Sequence, residues 1–352
     1  MTGIILLNFG EPEDATLEEV TAFLERIFAA NMSLEGELAP AAARARIRRL
    51  AEERAPGLIA EYEAIGGSPL NRQAREQGDA LVTELRRRGH EVRSYVGHQF
   101  TEPLIATAVR RAREDGVERL IGLPVYPLCG PSTTIAALAE LRRALDALAW
   151  DVPLAEVGGW HGHPLYAQLR ADGILETARA AGLELTDPRV RLVFSVHGTP
   201  LKYIEEGSRY VSYAEASCAA VAAAAGVADY EVGYQNHTNR PVAWTQPDIE
   251  AVIERIDAEH VIVVPISFMH EQSETLAELD HELREAAEAR GLGFHRVPVP
   301  HADPRVAEVL ADVVEPLVAE AVERRPAAGP ALLRLPRACR CRPGAVCMSG
   351  HG

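Results

Sequence analysis

Short apolar runs alternate with longer amphipathic segments along almost the whole chain. Runs such as Ile4 to Phe9, Val92 to Val96 and Arg119 to Pro124 are short enough to be buried strands. The segments between them, such as Asn71 to Arg88, have the apolar spacing of helices. Strict alternation of strand and helix predicts parallel sheets that helices cover on both faces. The pattern therefore predicts an α/β protein.

The alternation runs through two halves of the chain, which predicts two doubly wound, Rossmann-like domains. In such folds ligands bind beyond the carboxyl ends of the strands, so an active site is expected in the cleft between the domains. The end of the chain lacks helical or strand periodicity and is expected to be a separate, cysteine-bearing tail. The predicted boundaries are residues 1–150 for the N-terminal domain, 151–323 for the C-terminal domain and 324–352 for the tail.

Net charge and the length of the apolar runs narrow the range of partners. The 352 residues carry a formal net charge of -15, so no positive field exists to attract nucleic acid. No apolar run approaches the ~20 residues that a membrane-spanning helix needs. The start of the chain has no basic region before its first apolar run and does not resemble a signal peptide. A cytoplasmic protein is expected, with peripheral contact to a membrane surface left open.

One histidine stands where a ligand is expected. His197 follows the apolar run Val190 to Phe194 and precedes the turn Gly198 to Pro200, so it lies at the carboxyl end of a predicted strand. A histidine in that place can exchange protons near neutral pH or bind a metal ion. The same position also suits a histidine that only hydrogen-bonds to a loop.

A row of glutamates forms a second candidate site. Glu271, Glu274 and Glu278 are spaced three and four apart in a predicted helix from Glu271 to Arg290, so their carboxylates would share one face. Carboxylates held together raise one another's pKa and can pass protons or a divalent cation. Such a row is also typical of a solvated acidic face. The strand His260 to Pro265 would bring the row to the sheet edge of His197, which favours a site.

Six motifs in this order resemble those of ferrochelatases, the enzymes that complete haem synthesis, and the resemblance extends from Ile4 to about Val318. The central motif is Ser195-Val196-His197-Gly198-Thr199-Pro200, which is similar to the Ser-Ala-His-x-x-Pro signature of the family. The others are Leu7 to Glu13, Ile65 to Pro69, Tyr126-Pro127 with Ser132 to Thr134, the tract around Trp244, and Glu274 to Asp280.

The resemblance implies insertion of Fe(II) into a porphyrin, with porphyrin and ferrous iron as the substrates. His197 would take a pyrrole proton or help to deliver iron, and Glu274 would be its carboxylate partner. Glu278 would continue an acidic path to which Asp280 is a candidate addition. Aromatic side chains would hold and distort the macrocycle. The positions that match this aromatic pocket are Phe9, Tyr126 and Trp244.

Departures from the family pattern affect the substrate contacts. Ala64 and Gln99 stand where relatives often carry basic residues, so no propionate ligand is assigned. Glu13 and Asp14 stand where enzymes specific for coproporphyrin often carry a tyrosine, which favours protoporphyrin IX.

The cysteines resemble an iron–sulfur ligand set. Some ferrochelatases bind a 2Fe-2S cluster through three C-terminal cysteines and an internal one. Cys339, Cys341 and Cys347 match the triplet, and Cys129 is the expected fourth ligand. Cys218 lies in an alanine-rich helix and is expected to pack as a small apolar residue, although it is the alternative fourth ligand. Zinc bound by the tail cysteines with His351, or a disordered tail with free thiols, are the competing interpretations.

Two other functions are compatible with these residues. A chelatase of the same fold that inserts cobalt or nickel would carry a second histidine at the metal site, for which His270 is the candidate. A porphyrin or haem carrier would need the aromatic pocket but not His197 opposite Glu274. The sequence does not indicate an oligomeric state.

Overall fold

The computed structural model describes residues 1–34, 38–237, 242–319, 337–338 and 345–348. It contains two mainly parallel sheets flanked by helices, which confirms the predicted fold class. In the first sheet, four parallel strands run in the order β2-β1-β3-β4. All seven residues of β1 are buried, as expected for a central strand that is covered on both faces. The strands are β1 (Thr2–Asn8), β2 (Val92–His98), β3 (Arg119–Pro124) and β4 (Leu154–Val157).

Helices cover both faces of this sheet. A short 3₁₀ helix at Met32–Leu34 follows the first helix of the chain, and a short π-helix at Pro131–Ile135 precedes the fifth. The helices are α1 (Leu17–Asn31), α2 (Pro40–Ile65), α3 (Leu70–Arg87), α4 (Ile105–Glu114) and α5 (Ala136–Ala147).

The second sheet has the strand order β6-β5-β7-β8 and is parallel throughout. Its central strand β5 ends at His197, as the sequence predicts. The strands are β5 (Val190–His197), β6 (Tyr230–Gln235), β7 (His260–Pro265) and β8 (Gly293–Arg296). The helices are α6 (Pro164–Ala180), α7 (Leu201–Glu205), α8 (Tyr210–Ala224), α9 (Ile249–Arg255), α10 (Arg284–Ala289) and α11 (Pro304–Ala319).

Two elements cross the domain boundary expected at residue 150. Strand β4 pairs with β3 through Leu120 and Leu154, so it belongs to the first sheet. Helix α11 packs against α3, and its residues Leu310 and Val314 share a core with Leu6 of β1. An apolar helix face and an uncovered sheet face both lose contact with water in this arrangement. Strand β4 therefore extends the first sheet, and α11 packs against both α3 and α6.

The structure also differs from the predicted helix over Glu271 to Arg290. A π-helix spans Glu274–Leu283 and continues directly into α10, which ends at Ala289. The wider turn of a π-helix, with its i to i+5 hydrogen bonds, occurs frequently at functional sites. Because this helix begins at Glu274, it presents that side chain from its first turn.

The tail contains regular structure that its composition does not predict. Strand β10 (Ala345–Cys347) pairs in parallel with β4, and β9 (Arg337–Ala338) pairs antiparallel with β10. Cys339 and Cys341 lie outside the described residues. None of the described helices is long and apolar enough to cross a bilayer.

Candidate active site in the interdomain cleft

A cavity of about 380 Å³ lies between the two sheets, beyond the carboxyl ends of β1, β3, β5 and β7. Loops that leave parallel strands line a crevice at this edge, so residues from both domains meet here. The predicted site residues that line the cavity are Phe9, Tyr126, His197, Trp244, Glu274 and Glu278.

His197 is held by its backbone and by one ring nitrogen. Its amide donates to Ser267 Oγ at 2.9 Å, and its carbonyl accepts from the hydroxyl of Tyr210 at 3.0 Å. The ring Nδ1 donates to the carbonyl of Gly198 at 2.7 Å. That bond leaves Nε2 directed at the carboxylate of Glu274, whose Oε1 is 3.1 Å away.

His197 and Glu274 form an ion pair. Burial opposes a charged imidazole, but the hydrogen bond and charge of Glu274 outweigh it and hold the pKa of His197 above its ordinary value. Burial likewise opposes ionisation of Glu274, and His197 reverses this effect and lowers the pKa of the carboxyl. Each partner therefore favours the charged form of the other, next to the cavity.

A second histidine, His237, completes a cluster that the sequence reasoning missed. Its Nε2 lies 3.3 Å from His197 Nε2 and 3.8 Å from Glu274 Oε1. The sequence did contain a signal for His237, because this residue follows the end of strand β6 by two positions. Since β6 pairs with β5, the end of β6 lies beside His197. Among the described residues, these three side chains form a group that could hold a metal ion.

Gly198 allows the two histidine-bearing loops to approach each other. Its amide donates to the carbonyl of Gln235 at 2.7 Å. A Cβ atom at this position would collide with Asn236 Oδ1 and come within 2.8 Å of the Gln235 carbonyl oxygen. The glycine after His197 is therefore required by close backbone approach.

Glu278 lies four residues further along the π-helix and is joined to Glu274 through Gln235. The Gln235 side-chain amide donates to Glu278 Oε2 and to the Glu274 carbonyl, both at 3.0 Å. Ser195 of the central motif donates to Gln235 Oε1 at 2.7 Å, so it orients this amide. Burial, reinforced by the charge of Glu274, raises the pKa of Glu278 to about 8. The carboxyl is mostly protonated at neutral pH.

The glutamate row is shorter than predicted. Glu271 precedes the helix and accepts hydrogen bonds from Thr275, Arg296 and the amide of Val299, each at 2.7 to 2.9 Å. Asp280 also pairs with Arg296, at 2.6 Å, so it does not extend the acidic path.

His270 lines the cavity but is not in the metal-ligating group. Burial lowers its pKa to about 3, so the imidazole is neutral at neutral pH. The second histidine of the cluster is therefore His237 rather than the predicted His270.

Glu11 is another cavity residue that the motifs did not single out. Its carboxyl accepts hydrogen bonds from the Tyr62 hydroxyl at 3.2 Å, from the Ser68 hydroxyl, and from the backbone amide and hydroxyl of Ser273. Burial raises the pKa of Glu11. Because Ser273 immediately precedes Glu274, these bonds connect the N-terminal domain to the start of the π-helix.

An aromatic cluster from the N-terminal domain also lines the cavity. Phe9 packs edge-on against Phe100 and Phe23, with ring centroids 4.6 and 6.1 Å apart. Tyr126 donates its hydroxyl to Gln99 Oε1 at 2.9 Å. The arginines among the described lining residues are Arg54 and Arg143.

The described cysteines are all buried. Cys218 packs in the core of the second domain, as predicted, and burial raises the pKa of its thiol. Cys129 lies two residues after Pro127, whose carbonyl accepts from the Trp160 amide at 2.9 Å. Cys347 precedes Met348, whose amide donates to the Gly159 carbonyl at 2.9 Å. The loop that follows β4 therefore contacts the chain next to both Cys129 and Cys347.

The chain matches the ferrochelatase family over residues 1–317. It is 32% identical to the ferrochelatase of Geotalea daltonii over 329 residues, which cover 91% of this chain and 98% of the relative. It is 36% identical to the ferrochelatase of Synechococcus sp. strain JA-3-3Ab, covering 90% of this chain and 93% of the relative. Among solved structures, SirB from Bacillus subtilis with Fe³⁺ is similar with a TM-score of 0.49 and 11% identity, covering 91% and 96% of the two chains.

Proposed function

This chain belongs to the ferrochelatase family, which inserts ferrous iron into a porphyrin in haem synthesis, and we propose that His197 and Glu274 carry the chemistry of that insertion. The observation that supports these roles is the ion pair itself, 3.1 Å long and facing the cavity. Insertion replaces the two pyrrole protons of the macrocycle with a dication. The site must therefore accept protons and admit positive charge at the same place.

The ion pair suits both tasks. Glu274 keeps His197 able to hold a proton at neutral pH, and a dication that approaches the pair lowers its affinity for that proton. Glu278, with its pKa near 8, exchanges protons in the working pH range and lies on the way from Glu274 along the helix. We assign Glu278 to proton transfer away from the pair.

The aromatic side of the cavity is assigned to the macrocycle. Phe9, Tyr126 and Trp244 offer flat faces and edges that a porphyrin ring can pack against. Arg143 is the candidate partner of a substrate carboxylate, because Arg54 already pairs with Glu61 at 2.7 Å. Because protoporphyrin IX carries fewer carboxylates than coproporphyrin III, a described lining with few cations supports the preference for protoporphyrin IX.

Iron remains the metal best supported. The cobalt or nickel alternative rested on a second histidine at the site, and His237 is such a residue. The curated relatives are nevertheless ferrochelatases along nearly their whole length. A carrier without activity would not need the ion pair, and substitution of the pair distinguishes the two functions.

The test is anaerobic insertion of Fe(II) into protoporphyrin IX by His197→Ala and Glu274→Gln. We expect a loss in kcat of about 10²- to 10⁴-fold, the usual contribution of a proton-transfer residue. Porphyrin affinity, measured by quenching of tryptophan fluorescence, should change little. Glu156→Gln is the matched control, because Glu156 on β4 is buried and paired with Arg142 of α5. Full activity in both variants would refute the assigned roles.

We also propose that Cys129, Cys339, Cys341 and Cys347 hold a 2Fe-2S cluster. Four thiolates fit such a cluster, and the described pair, Cys129 and Cys347, is buried and approached by the same loop. When bound, the cluster would cross-link the tail to the N-terminal domain in a structural or sensory role. The predicted reducing cytoplasm would keep the thiols available. Visible absorption bands that are lost in Cys129→Ser but retained in Cys218→Ser would support this ligand set, and the reverse result would refute it.

A further inference from the structure

We propose that His237 is a third ligand that, together with His197 and Glu274, holds the incoming ferrous ion before the macrocycle takes it. The proposal rests on the function proposed for the ion pair and adds a residue to it. A histidine and a carboxylate alone form an acid–base pair that can bind a proton. With His237 as a third donor beside them, the three side chains can bind a cation.

The three ligand atoms have the spacing of a metal site. The distances between them are 3.1 Å from His197 Nε2 to Glu274 Oε1, 3.3 Å between the two Nε2 atoms, and 3.8 Å from His237 Nε2 to Glu274 Oε1. A point equidistant from all three lies about 2 Å from each, which is close to the distance at which divalent first-row metals bind nitrogen and carboxylate oxygen. No large movement is needed for an ion to bind there.

The donor set also matches the metal. Two imidazoles and one carboxylate are the donors that non-haem Fe(II) sites use, with the remaining coordination positions open. Open positions are what an insertion reaction needs, because pyrrole nitrogens must bind the ion while the protein still holds it. Three ligands fix the ion in place without enclosing it.

The surroundings of His237 fix its position. The side-chain amide of the preceding residue, Asn236, donates to the Thr245 carbonyl at 2.8 Å and to Asp248 Oδ2 at 3.0 Å. The His237 ring packs edge-on against Trp244, with centroids 5.5 Å apart. An imidazole held in this way loses little conformational freedom when it binds a metal ion.

Exposure decreases across the three ligands. The side chain of His237 is 39% exposed, that of His197 31% and that of Glu274 14%. An ion that arrives from solvent meets His237 first and Glu274 last. We therefore assign His237 to capture of the ion, and the deeper pair to its release into the macrocycle.

The test uses Co(II) alone as a stand-in for Fe(II), bound anaerobically to the full chain and followed by its d–d absorption. His237→Ala should weaken Co(II) binding by at least about tenfold, since even residues that only support a ligand contribute that much. The KM for iron should rise by a similar factor while porphyrin affinity stays constant. His295→Ala is the matched control, because His295 lies on β8 outside the cavity lining and beside another histidine, His260.

The outcomes separate the two proposals. If His237→Ala lowers kcat but leaves Co(II) affinity and the KM for iron unchanged, His237 transfers protons and the ligand role is refuted. If His237→Ala weakens Co(II) binding while His197→Ala and Glu274→Gln remain fully active, the cation site stands and the function proposed for the pair fails. His237→Gln, which keeps a polar side chain without the imidazole, should weaken Co(II) binding as His237→Ala does. Unchanged Co(II) binding in a folded His237→Gln protein would also refute the ligand role.

Discussion

The two sides of the cavity differ in what they offer a substrate. The lining from the N-terminal domain includes an aromatic cluster, with Phe9, Phe23 and Phe100 in contact, beside charged residues such as Glu11 and Arg143. The side built by the C-terminal domain carries the imidazoles of His197 and His237 and the carboxyls of Glu274 and Glu278.

The aromatic cluster can bind a flat ring by complementary shape and by exclusion of water. The imidazoles and carboxyls of the other domain can then interact with protons and a metal ion. Low polarity on one side also strengthens the electrostatic interactions on the other. The proposed roles therefore place ring binding on the aromatic cluster of the N-terminal domain with Trp244 of the C-terminal domain, and the chemistry on the C-terminal domain.

The difference has a local structural origin. The aromatic side comes from helix α1, whose buried residues Phe23, Leu24 and Phe28 pack over the loop that follows β1. The charged side comes from the ends of β5 and β6 and from the first turn of the π-helix. Strand ends present single side chains at fixed positions, whereas a helix face presents a broad apolar surface.

Among the variants that test this comparison, Phe9→Ala is expected to have the largest effect. Phe9→Ala removes a ring that packs on two others at the cavity wall. Loss of one such aromatic contact costs about 0.5–1.5 kcal/mol, so the KM for porphyrin should rise by up to roughly tenfold while kcat changes little. Steady-state kinetics at saturating iron measure this.

Phe9→Leu is the companion variant, because leucine keeps apolar contact without the flat face. It should give an intermediate KM. A fall in kcat with an unchanged KM for porphyrin would mean that the aromatic side takes part in the chemistry, and the division between the two sides would be wrong.

A smaller effect is expected at Glu11, the residue of the aromatic side that reaches across to Ser273. In Glu11→Gln the amide group cannot accept every hydrogen bond that the carboxyl accepts. The loss of about 1 kcal/mol should displace the start of the π-helix and lower kcat by about fivefold. Porphyrin affinity should be unaffected.

A double-variant cycle tests whether Glu11 acts through Glu274. In the Glu274→Gln background, Glu11→Gln should have little further effect on kcat, since residues that act through one group are not additive. Glu156→Gln should lower stability without this loss of kcat. Independent, multiplicative losses in the double variant would contradict a positioning role for Glu11.

The last prediction concerns Glu278, on the charged side, and the pH dependence of stability. Its pKa is about 8 in the folded protein and near the ordinary value of 4.5 in the unfolded chain. Between these values the folded protein holds a proton that the unfolded chain has released, so this contribution to stability is lost as pH rises from about 4.5 to 8.

Glu278→Gln removes that dependence. The variant should exceed the wild type in unfolding free energy by on the order of 1–3 kcal/mol at pH 9, and the difference should shrink toward pH 5. Thermal unfolding across this range measures it. The exposed Glu288 on α10 offers a control, Glu288→Gln, which should follow the wild-type curve. Parallel curves for Glu278→Gln and wild type would show that the buried carboxyl is ionised at neutral pH.

The sequence by itself determined the α/β class and two of the chemical groups. Apolar periodicity is a local property, so the strands around His197 could be read directly from the chain. A parallel strand ends at the ligand-binding edge of its sheet, which placed His197 at the cavity. The family motif supplied Glu274 as its partner.

Only the tertiary structure decided which distant residues join that pair. His237 lies 40 positions from His197, and Glu11 lies 262 positions from Ser273. Their contacts depend on how neighbouring strand ends and the two domains pack, which no local pattern encodes. Packing also joined β4 to the first sheet, placed α11 against both α3 and α6, and turned Glu271 toward Arg296. Burial among distant parts of the chain sets these contacts, and burial is a property of the folded molecule.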